Sequence, residues 1–310
     1  MGAAPHPPAV ALVGTTAAGK SALALQVARA LPDVELVSID SMQVYRGMDI
    51  GTASPTAAER AEVPHHLIDL VDPWEEWSVV RFQDAARAAL ADVAARGRRA
   101  VLVGGTGLYL RAVIDDLDVP GQYPEARAEL EAEPDTRALH TRLAALDPVA
   151  AARMEPDNRR RIVRALEVTV GSGRPFSSYG AGLDTHPAGA IPQVGVRLPP
   201  PAVAARIEAR YHQQVAAGFL AEVEALARLP HPLSRTAAQA LGYRELLAHL
   251  AGEATFADAL DLAVRRTRRF ARRQRAWFRR DPRVEWFDAT AEPAEVAGPL
   301  VARVRALLGP

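Results

Sequence analysis

A glycine-rich segment, VGTTAAGKS at residues 13–21, follows a short apolar run near the start of the chain. Gly14, Gly19, Lys20 and Ser21 match the pattern G-x-x-x-x-G-K-[ST], in which backbone N–H groups surround phosphates at a helix N-terminus. We therefore predict that this segment binds a diphosphate. The predicted diphosphate contacts are Gly14, Thr15, Thr16, Ala17, Ala18, Gly19, Lys20 and Ser21. The pattern does not identify the group attached to the diphosphate.

A carboxylate follows the second apolar run, VELVSI, at Asp40. Ligands of open α/β sheets lie beyond the carboxyl ends of the strands, so Asp40 is expected to point toward the phosphate site. There it could accept a proton from a substrate or hold Mg²⁺ through water. A helix-capping or turn aspartate is the alternative interpretation, and position alone does not separate the two.

The third apolar run, RAVLV, ends in the turn Gly104-Gly105-Thr106-Gly107. Many P-loop nucleotide hydrolases instead end a neighbouring strand with an aspartate that positions Mg²⁺. Glycines permit close backbone approach, and the Thr106 hydroxyl could contact a phosphate or a leaving oxygen. The turn therefore favours transfer chemistry on a diphosphate over ATP hydrolysis, although glycines also occur in ordinary turns.

Charge is unevenly distributed, although 37 basic and 37 acidic side chains give no net charge. Residues 265–280 read RRTRRFARRQRAWFRR without an acid, and residues 158–164 read NRRRIVR. On a helix, the first of these segments would bury one face and present arginines on another. An acid-free basic face of this kind is typical of nucleic-acid binding. Lys20 is the only lysine in the sequence. Lysine is a flexible point charge that can follow a phosphate, which agrees with its place in the glycine-rich segment.

Alternating strand-like and helix-like segments predict an α/β fold, with a P-loop NTPase-like parallel sheet and flanking helices. Short helical patterns between about residues 117 and 190 predict an all-helical insertion domain. We expect the first part of the P-loop α/β core over 1–116, the insertion over 117–190, and a return to the core over 191–310. After residue 218 we expect only helices, including the C-terminal basic helices.

Composition also limits the location and the class of the protein. The chain has no cysteine, which favours a cytoplasmic protein and excludes disulfides and thiolate metal sites. No basic N-terminal start precedes the first apolar run, so we expect no signal peptide. No apolar stretch approaches the ~20 residues that span a bilayer, so we expect no membrane partner. A monomer is the default expectation.

Taken together, these motifs resemble those of the tRNA dimethylallyltransferases, or tRNA isopentenyltransferases, of the bacterial type. The matching segments are GTTAAGKS, DSMQVYRGMDIGTA, PHHLID, DPWEEWSVVRF, VGGTGLY, RRIVRALEV, QALGYRE and RRQRAWFRR, in the family's order. The resemblance implies transfer of a dimethylallyl group from dimethylallyl diphosphate to N6 of the adenine immediately 3′ of the anticodon in tRNA. Since the sequence has no cysteine, we expect no zinc-finger extension of the kind found in eukaryotic relatives. Arg160 replaces a frequent glutamine and Phe270 a frequent tyrosine.

The resemblance also implies the site residues. Asp40 would take the proton of the exocyclic amine, Thr106 would support the same reacting centre, and Mg²⁺ would bind the Ser21 hydroxyl. Either Arg206 or Arg210 would complete the diphosphate clamp, and we prefer Arg210. The tRNA anticodon stem-loop would contact Asp40, Ser41, Met42, Gln43, Arg127, Arg160, Arg161, Ile162, Val163, Arg164, Arg272 and Arg273. Tyr45 and the QALGYRE segment are candidates to line the channel for the base.

Three other functions agree with parts of the sequence. A P-loop small-molecule kinase would use ATP in the loop and Asp40 as base, but it leaves the basic helix unexplained. An adenine-nucleotide prenyltransferase would share the chemistry, and the same helix argues against it. A nucleotide-gated RNA-binding protein without catalytic activity would not need Asp40.

Overall fold

The computed structural model describes residues 7–180, 183, 185–187 and 191–309. The outer limits of the predicted segments, at residues 1–6, 188–190 and 310, lie outside the described residues. Two compact units are present: residues 7–114 with 191–309 form one, and the described residues between 115 and 187 form the other. Within the described ranges, no helix is both long and apolar enough to cross a membrane.

The larger unit contains a parallel sheet, as the strand–helix alternation predicts. Its strands, in the described part of the chain, are β1 (Ala9–Val13), β2 (Val34–Ile39), β3 (His65–His66), β4 (Arg99–Gly104), β5 (Gln193–Arg197) and β6 (Val284–Asp288). Their order across the sheet is β3-β2-β4-β1-β5-β6, and every pairing is parallel. All residues of β1 and β2 are buried because helices cover both faces of the sheet.

Helices make up most of the remaining described structure. In the larger unit they are α1 (Lys20–Ala30), α2 (Ala57–Glu62), α3 (Val79–Ala95), α4 (Gly107–Ile114), α9 (Pro200–Ala216), α10 (Phe219–Ala227), α11 (Arg235–Ala238), α12 (Tyr243–Leu250), α13 (Phe256–Phe278) and α14 (Ala297–Leu308). In the smaller unit they are α5 (Pro124–Ala132), α6 (Thr136–Leu146), α7 (Pro148–Ala152) and α8 (Arg159–Ser172).

One prediction about the C-terminal region is wrong. We expected only helices after residue 218, but β6 at Val284–Asp288 adds a strand beside β5. The segment VEWFD is short and lies at the edge of the sheet, where strand propensity is weak and pairing with β5 decides the structure. Gly218 does separate two helices, with φ of 98° between α9 and α10.

The smaller unit has its own apolar core. The buried side chains include Leu130, Leu143, Ile162 and Leu166 of α5, α6 and α8, together with Met154 from the turn after α7. The N-terminus of α8 is capped by the side chain of Asn158, which accepts a hydrogen bond from the N–H of Arg161. This unit is therefore a helical domain that can bury its own hydrophobic surface.

Candidate active site

Three strands of the sheet end at the same level. Val13 at the end of β1 and Ile39 at the end of β2 both pair with Gly104, the last residue of β4. The segments that follow them are the glycine-rich loop, Asp40 and the turn around Thr106. The sheet register thus brings together the three chemical motifs that the sequence separates by up to 90 residues.

The glycine-rich loop turns directly into α1, which begins at Lys20. Gly19 has φ of 84° and Ala17 has φ of 60°, so both lie in the left-handed region. A Cβ at position 19 would also collide with the ring of Pro293. Glycine is therefore required at position 19, whereas Ala17 is a non-glycine residue in a strained conformation of the kind found at binding loops.

Side chains from distant elements hold the loop in place. The N–H of Thr16 donates to Gln274 Oε1 at 2.8 Å, and Arg206 Nε donates to the carbonyl of Ala17 at 3.0 Å. Lys20 Nζ donates to the carbonyl of Thr15 at 2.8 Å. The loop is thus positioned by α9 and α13 as well as by its own glycines.

A cavity of about 510 Å³ opens beside this loop. It is lined by residues of the loop, by Asp40 to Gln43, by the turn around Thr106 and by parts of α9, α12 and α13. Lys20, Ser21, Asp40, Thr106 and Arg210 therefore share one space. Gln239, Ala240, Leu241 and Tyr243 of the QALGYRE segment also line it. Tyr45, which we considered for the same lining, is completely buried elsewhere in the core.

Two partly buried cations, Lys20 and Arg210, dominate the electrostatics of this cavity. Burial lowers the pKa of Lys20 to about 8, an effect that Asp40 opposes and Arg210 reinforces. Burial likewise lowers the pKa of Arg210, while Tyr211 and Asp40 act in the other direction. Arg210 donates to Thr16 Oγ1 at 2.9 Å, and its Nε has no hydrogen-bond partner in the described structure. Among the described residues, Asp40 is the one carboxylate whose charge acts on both cations, so these two partly desolvated groups favour an anionic ligand.

The lowered pKa of Lys20 makes a testable prediction about pH. The free ammonium loses its proton as the pH rises through about 8, and a bound diphosphate favours the charged form. The affinity for dimethylallyl diphosphate should therefore weaken above that pH, by up to about tenfold per pH unit. Calorimetry near pH 8 in buffers of different ionisation enthalpy should detect uptake of about half a proton on binding. A flat affinity between about pH 7 and pH 9.5 would contradict this placement of Lys20.

Asp40 forms a tight turn at the edge of the cavity. Its Oδ1 accepts a hydrogen bond from the N–H of Met42 at 2.8 Å. Its Oδ2 accepts none from the part of the chain that the structure describes. The turn interpretation and the catalytic interpretation are thus compatible. Oδ1 holds the turn and orients the carboxylate, and Oδ2 is available to accept a proton. Ser41 and Met42 line the same cavity.

Gln43 is held within its own loop. Its Oε1 accepts a hydrogen bond from Ser38 Oγ at 2.6 Å, and its Nε2 donates to the carbonyl of Ala53 at 3.2 Å. These bonds tie the segment after Asp40 to the following turn. The Gln43 side chain lines the cavity, but its amide already serves to shape the loop.

A second contact, which sequence reasoning missed, holds the other end of this loop. The carboxylate of Glu222 accepts hydrogen bonds from the backbone N–H groups of Asp49, Ile50 and Gly51, at 2.9, 2.7 and 3.1 Å. It also accepts one from the hydroxyl of Tyr243 at 2.6 Å. This carboxylate on α10 therefore fixes the loop that carries one wall of the cavity.

The glycines around Thr106 are explained by packing against neighbouring groups. A Cβ on Gly104 would collide with the carbonyl of Ile39, and one on Gly105 would collide with the Gln274 amide. We expected these glycines to permit close approach to the backbone, and the groups that approach are the Ile39 carbonyl and the Gln274 amide. Thr106 follows these glycines and immediately precedes α4, which places it at the cavity wall beside the loop.

Arg272 and Arg273 lie on different sides of α13. Arg273 lines the cavity with Asp40, and Arg272 lines a second cavity of about 570 Å³. Arg275 and Arg279 also line this second cavity, beside apolar residues of β5 and α9. These three arginines are exposed and have no acidic partner among the described residues. By contrast Arg268, which the spacing places on the same face, pairs with Glu208.

The predicted tRNA contacts of the helical unit differ in exposure. Arg160 and Arg161 are exposed on α8, whereas the side chains of Ile162 and Val163 are buried in the apolar core of the unit. Those two buried side chains therefore position the neighbouring arginines and do not reach the surface. A direct contact of Ile162 or Val163 side chains with tRNA is not compatible with this packing.

Arg127 and Arg164 converge on one buried carboxylate. Glu167 is 1% exposed, and its two oxygens lie 3.4 Å from Arg127 and 2.7 Å from Arg164. Glu167 also accepts a hydrogen bond from the N–H of Tyr123 at 3.0 Å. Both arginines are about one-third exposed, so each could still offer an N–H to a phosphate.

Comparison with known proteins shows the family to which the chain belongs. A family model described as IPP transferase matches residues 43–281. The tRNA dimethylallyltransferase of Salinispora arenicola is 52% identical over 283 residues, which cover 90% of this chain and 82% of that protein. The enzyme of the same name from Kineococcus radiotolerans is 48% identical over 303 residues, with 94% and 95% coverage.

Two solved structures are also similar. The full-length tRNA isopentenylpyrophosphate transferase from Bacillus halodurans has a TM-score of 0.70 and 38% identity, and it covers 97% of this chain and 96% of its own. A eukaryotic dimethylallyltransferase acting on tRNA has a TM-score of 0.73 and 25% identity, with 91% and 74% coverage. The similarity therefore extends over both units of the chain.

Proposed function

Because the chain belongs to the IPP transferase family, we propose that it transfers a dimethylallyl group from dimethylallyl diphosphate to N6 of the adenine 3′ of the anticodon in tRNA. The observation that carries this proposal is the shared cavity, in which two partly buried cations and the Asp40 carboxylate face the same space. The named relatives favour this function over a small-molecule kinase or a free-nucleotide prenyltransferase.

The diphosphate of the donor would lie in the glycine-rich loop. Backbone N–H groups at the start of α1, together with Lys20 and Arg210, would hold its oxygens and stabilise the charge that grows as the C–O bond breaks. Arg210 suits this clamp better than Arg206. Arg206 already pairs with Glu292 at 2.6 Å, while Arg210 is partly buried and has no carboxylate of the described residues in direct contact.

A divalent metal, Mg²⁺ in our proposal, fits the donor set of this cavity. The Ser21 hydroxyl is exposed at the first turn of α1, and Asp40 lines the same space. The described residues contain no cluster of three or more acidic or histidine ligands. Mg²⁺ commonly binds one or two protein oxygens together with substrate phosphates and water, so this sparse set is adequate. Bound there, it would neutralise diphosphate charge.

Proton removal falls to Asp40 in this proposal. The N6 amine of adenine attacks the allylic carbon, the C–O bond to the diphosphate breaks, and the proton of the amine passes to the carboxylate. The turn to Met42 holds Asp40 Oδ1, which leaves Oδ2 to face the base. The Thr106 hydroxyl would hydrogen-bond at the same centre.

The tRNA would bind with its target base unstacked, because a stacked adenine cannot reach a carboxylate inside a cavity. Arg273 would contact the nucleotide that enters, while Arg272, Arg275 and Arg279 would hold backbone phosphates outside. Arg160 and Arg161 of the helical unit offer further cationic contacts. We propose accordingly that the insertion over 117–190 binds the anticodon stem-loop, and that a monomer acts in the cytoplasm, where tRNA is available.

The reaction itself provides the test. The protein is incubated with dimethylallyl diphosphate, Mg²⁺ and unmodified tRNA, and the RNA is then digested and its nucleosides are weighed. We expect a prenylated adenosine together with free diphosphate, and no product when ATP replaces the donor. Phosphorylation of a small molecule with ATP, and no change in the tRNA, would contradict the proposal and support a kinase.

A further inference from the structure

The basic helix α13 has a buried face that contacts the reacting centre. Gln274 is 7% exposed and lies one turn before Trp277. A Cβ on Gly105 would collide with the Gln274 amide, and a Cβ on Gly107 would collide with the Trp277 indole. Two side chains of α13 therefore pack against the glycines on either side of Thr106. This packing fixes the position of the turn relative to the helix.

Gln274 connects this turn to the glycine-rich loop through both ends of its amide. Its Oε1 accepts the N–H of Thr16 at 2.8 Å, and its Nε2 donates to the carbonyl of Gly105 at 2.9 Å. One amide thus bridges the loop that would hold the leaving diphosphate and the turn that carries Thr106. A hydrocarbon side chain of the same length could fill the space, but it would leave the Thr16 N–H and the Gly105 carbonyl without these hydrogen bonds.

We propose that Gln274 is a positioning residue of the transfer reaction, which sets the diphosphate loop and Thr106 at the correct distance from each other. This inference rests on the proposed function. The bridge is made by protein groups and acts through other residues, so its loss should slow the chemical step more than it weakens substrate binding. Because Arg273 precedes Gln274 on the same helix, RNA that contacts α13 also contacts the element that supports the reacting centre.

The first variant is Gln274→Met, which keeps the length of the side chain and removes both hydrogen bonds. Displacement of a reacting group by about 1 Å costs about 100-fold in rate, so we expect kcat to fall by about that factor. The Kd for tRNA and the KM for the donor should change by less than about threefold, since no substrate contact is removed. Gln213→Met on the exposed surface of α9 is the matched control and should leave kcat unchanged.

A second variant, Gln274→Glu, gives a signature that a purely structural role would not give. A protonated glutamic acid can accept from Thr16 N–H and donate to the Gly105 carbonyl, as glutamine does, whereas the carboxylate cannot donate. Burial and the nearby Asp40 carboxylate favour the protonated form, whereas Lys20, Arg210 and Arg273, which line the same cavity, favour the carboxylate and set how far the pH must fall. The kcat of Gln274→Glu relative to the wild type should therefore rise about tenfold or more between about pH 8 and about pH 5.5.

Hydrogen exchange at the Thr16 amide provides a readout that does not depend on turnover. Loss of protection at Thr16 in folded Gln274→Met, with other loop amides unchanged, would support the bridge. A kcat of Gln274→Met within about threefold of the wild type, or a Gln274→Glu ratio that does not depend on pH, would overturn the proposal. Absence of prenylated adenosine with the wild-type protein would refute the proposed function instead.

Discussion

Asp40→Asn should reduce the rate of prenyl transfer by about 10²–10⁴-fold while the protein remains folded and binds tRNA. Asparagine keeps an oxygen that can accept the N–H of Met42, so the turn at the strand end survives. It cannot take a proton from the N6 amine, because its amide is not basic. The measurement is single-turnover transfer with saturating donor and tRNA, together with tRNA binding by filter retention.

Two further variants distinguish the role of Asp40 as a base from its role in the turn. Asp40→Ala removes both functions of the side chain, so its loss of rate should equal or exceed that of Asp40→Asn. Asp84→Asn removes an exposed carboxylate from α3 and should leave the rate unchanged. If Asp40→Asn retained a rate within about threefold of the wild type, the general-base assignment would be wrong.

Lys20→Met should produce the second large effect, a loss of about 10²–10³-fold in kcat/KM for the donor. The ammonium would lie beside the diphosphate, and without ligand it is partly buried, with the Thr15 carbonyl and the charge of Asp40 as its compensation. Methionine fills a similar volume without charge. Since an incompletely paired buried cation costs free energy in the absence of its ligand, the free energy of unfolding of the ligand-free variant should be unchanged or higher.

This opposite behaviour of activity and stability is the critical feature of the prediction. Arg228→Met on the surface of α10, where the guanidinium is largely exposed, is the matched control and should change neither quantity. A Lys20→Met protein that is strongly destabilised without ligand would indicate a structural cation. Such a result would contradict the view that the cation is held in place for an anion.

Much of the fold could be predicted because strong local signals agree with the tertiary structure. The apolar runs before Gly14, Asp40 and Gly104 form neighbouring parallel strands, and the glycine-rich loop does precede a helix. β6 was missed because a five-residue edge strand depends on its partner for stability. α4 was missed because the glycines before it mask the start of a helix in the sequence.

The candidate site was only partly predictable, for a different reason. The glycine-rich loop could be predicted from its G-x-x-x-x-G-K-[ST] pattern. Asp40 could be predicted as a candidate because it directly follows a buried strand. Gln274 lies on the buried face of α13, but its two partners are more than 160 residues away in the chain, so no local pattern indicates the bridge. Glu222 gave no signal at all, since a glutamate on a surface-like helix has the same pattern whether or not it caps a distant loop.

The central claim is that one cavity holds the donor diphosphate and presents Asp40 to an unstacked adenine. A crystal structure of the protein with an anticodon stem-loop and an unreactive thiolo analogue of dimethylallyl diphosphate tests it most directly. We predict the diphosphate against Lys20 and Arg210, and the N6 atom of the adenine within about 3 Å of Asp40. A diphosphate bound outside the glycine-rich loop, or an adenine that remains stacked in the RNA, would contradict the account.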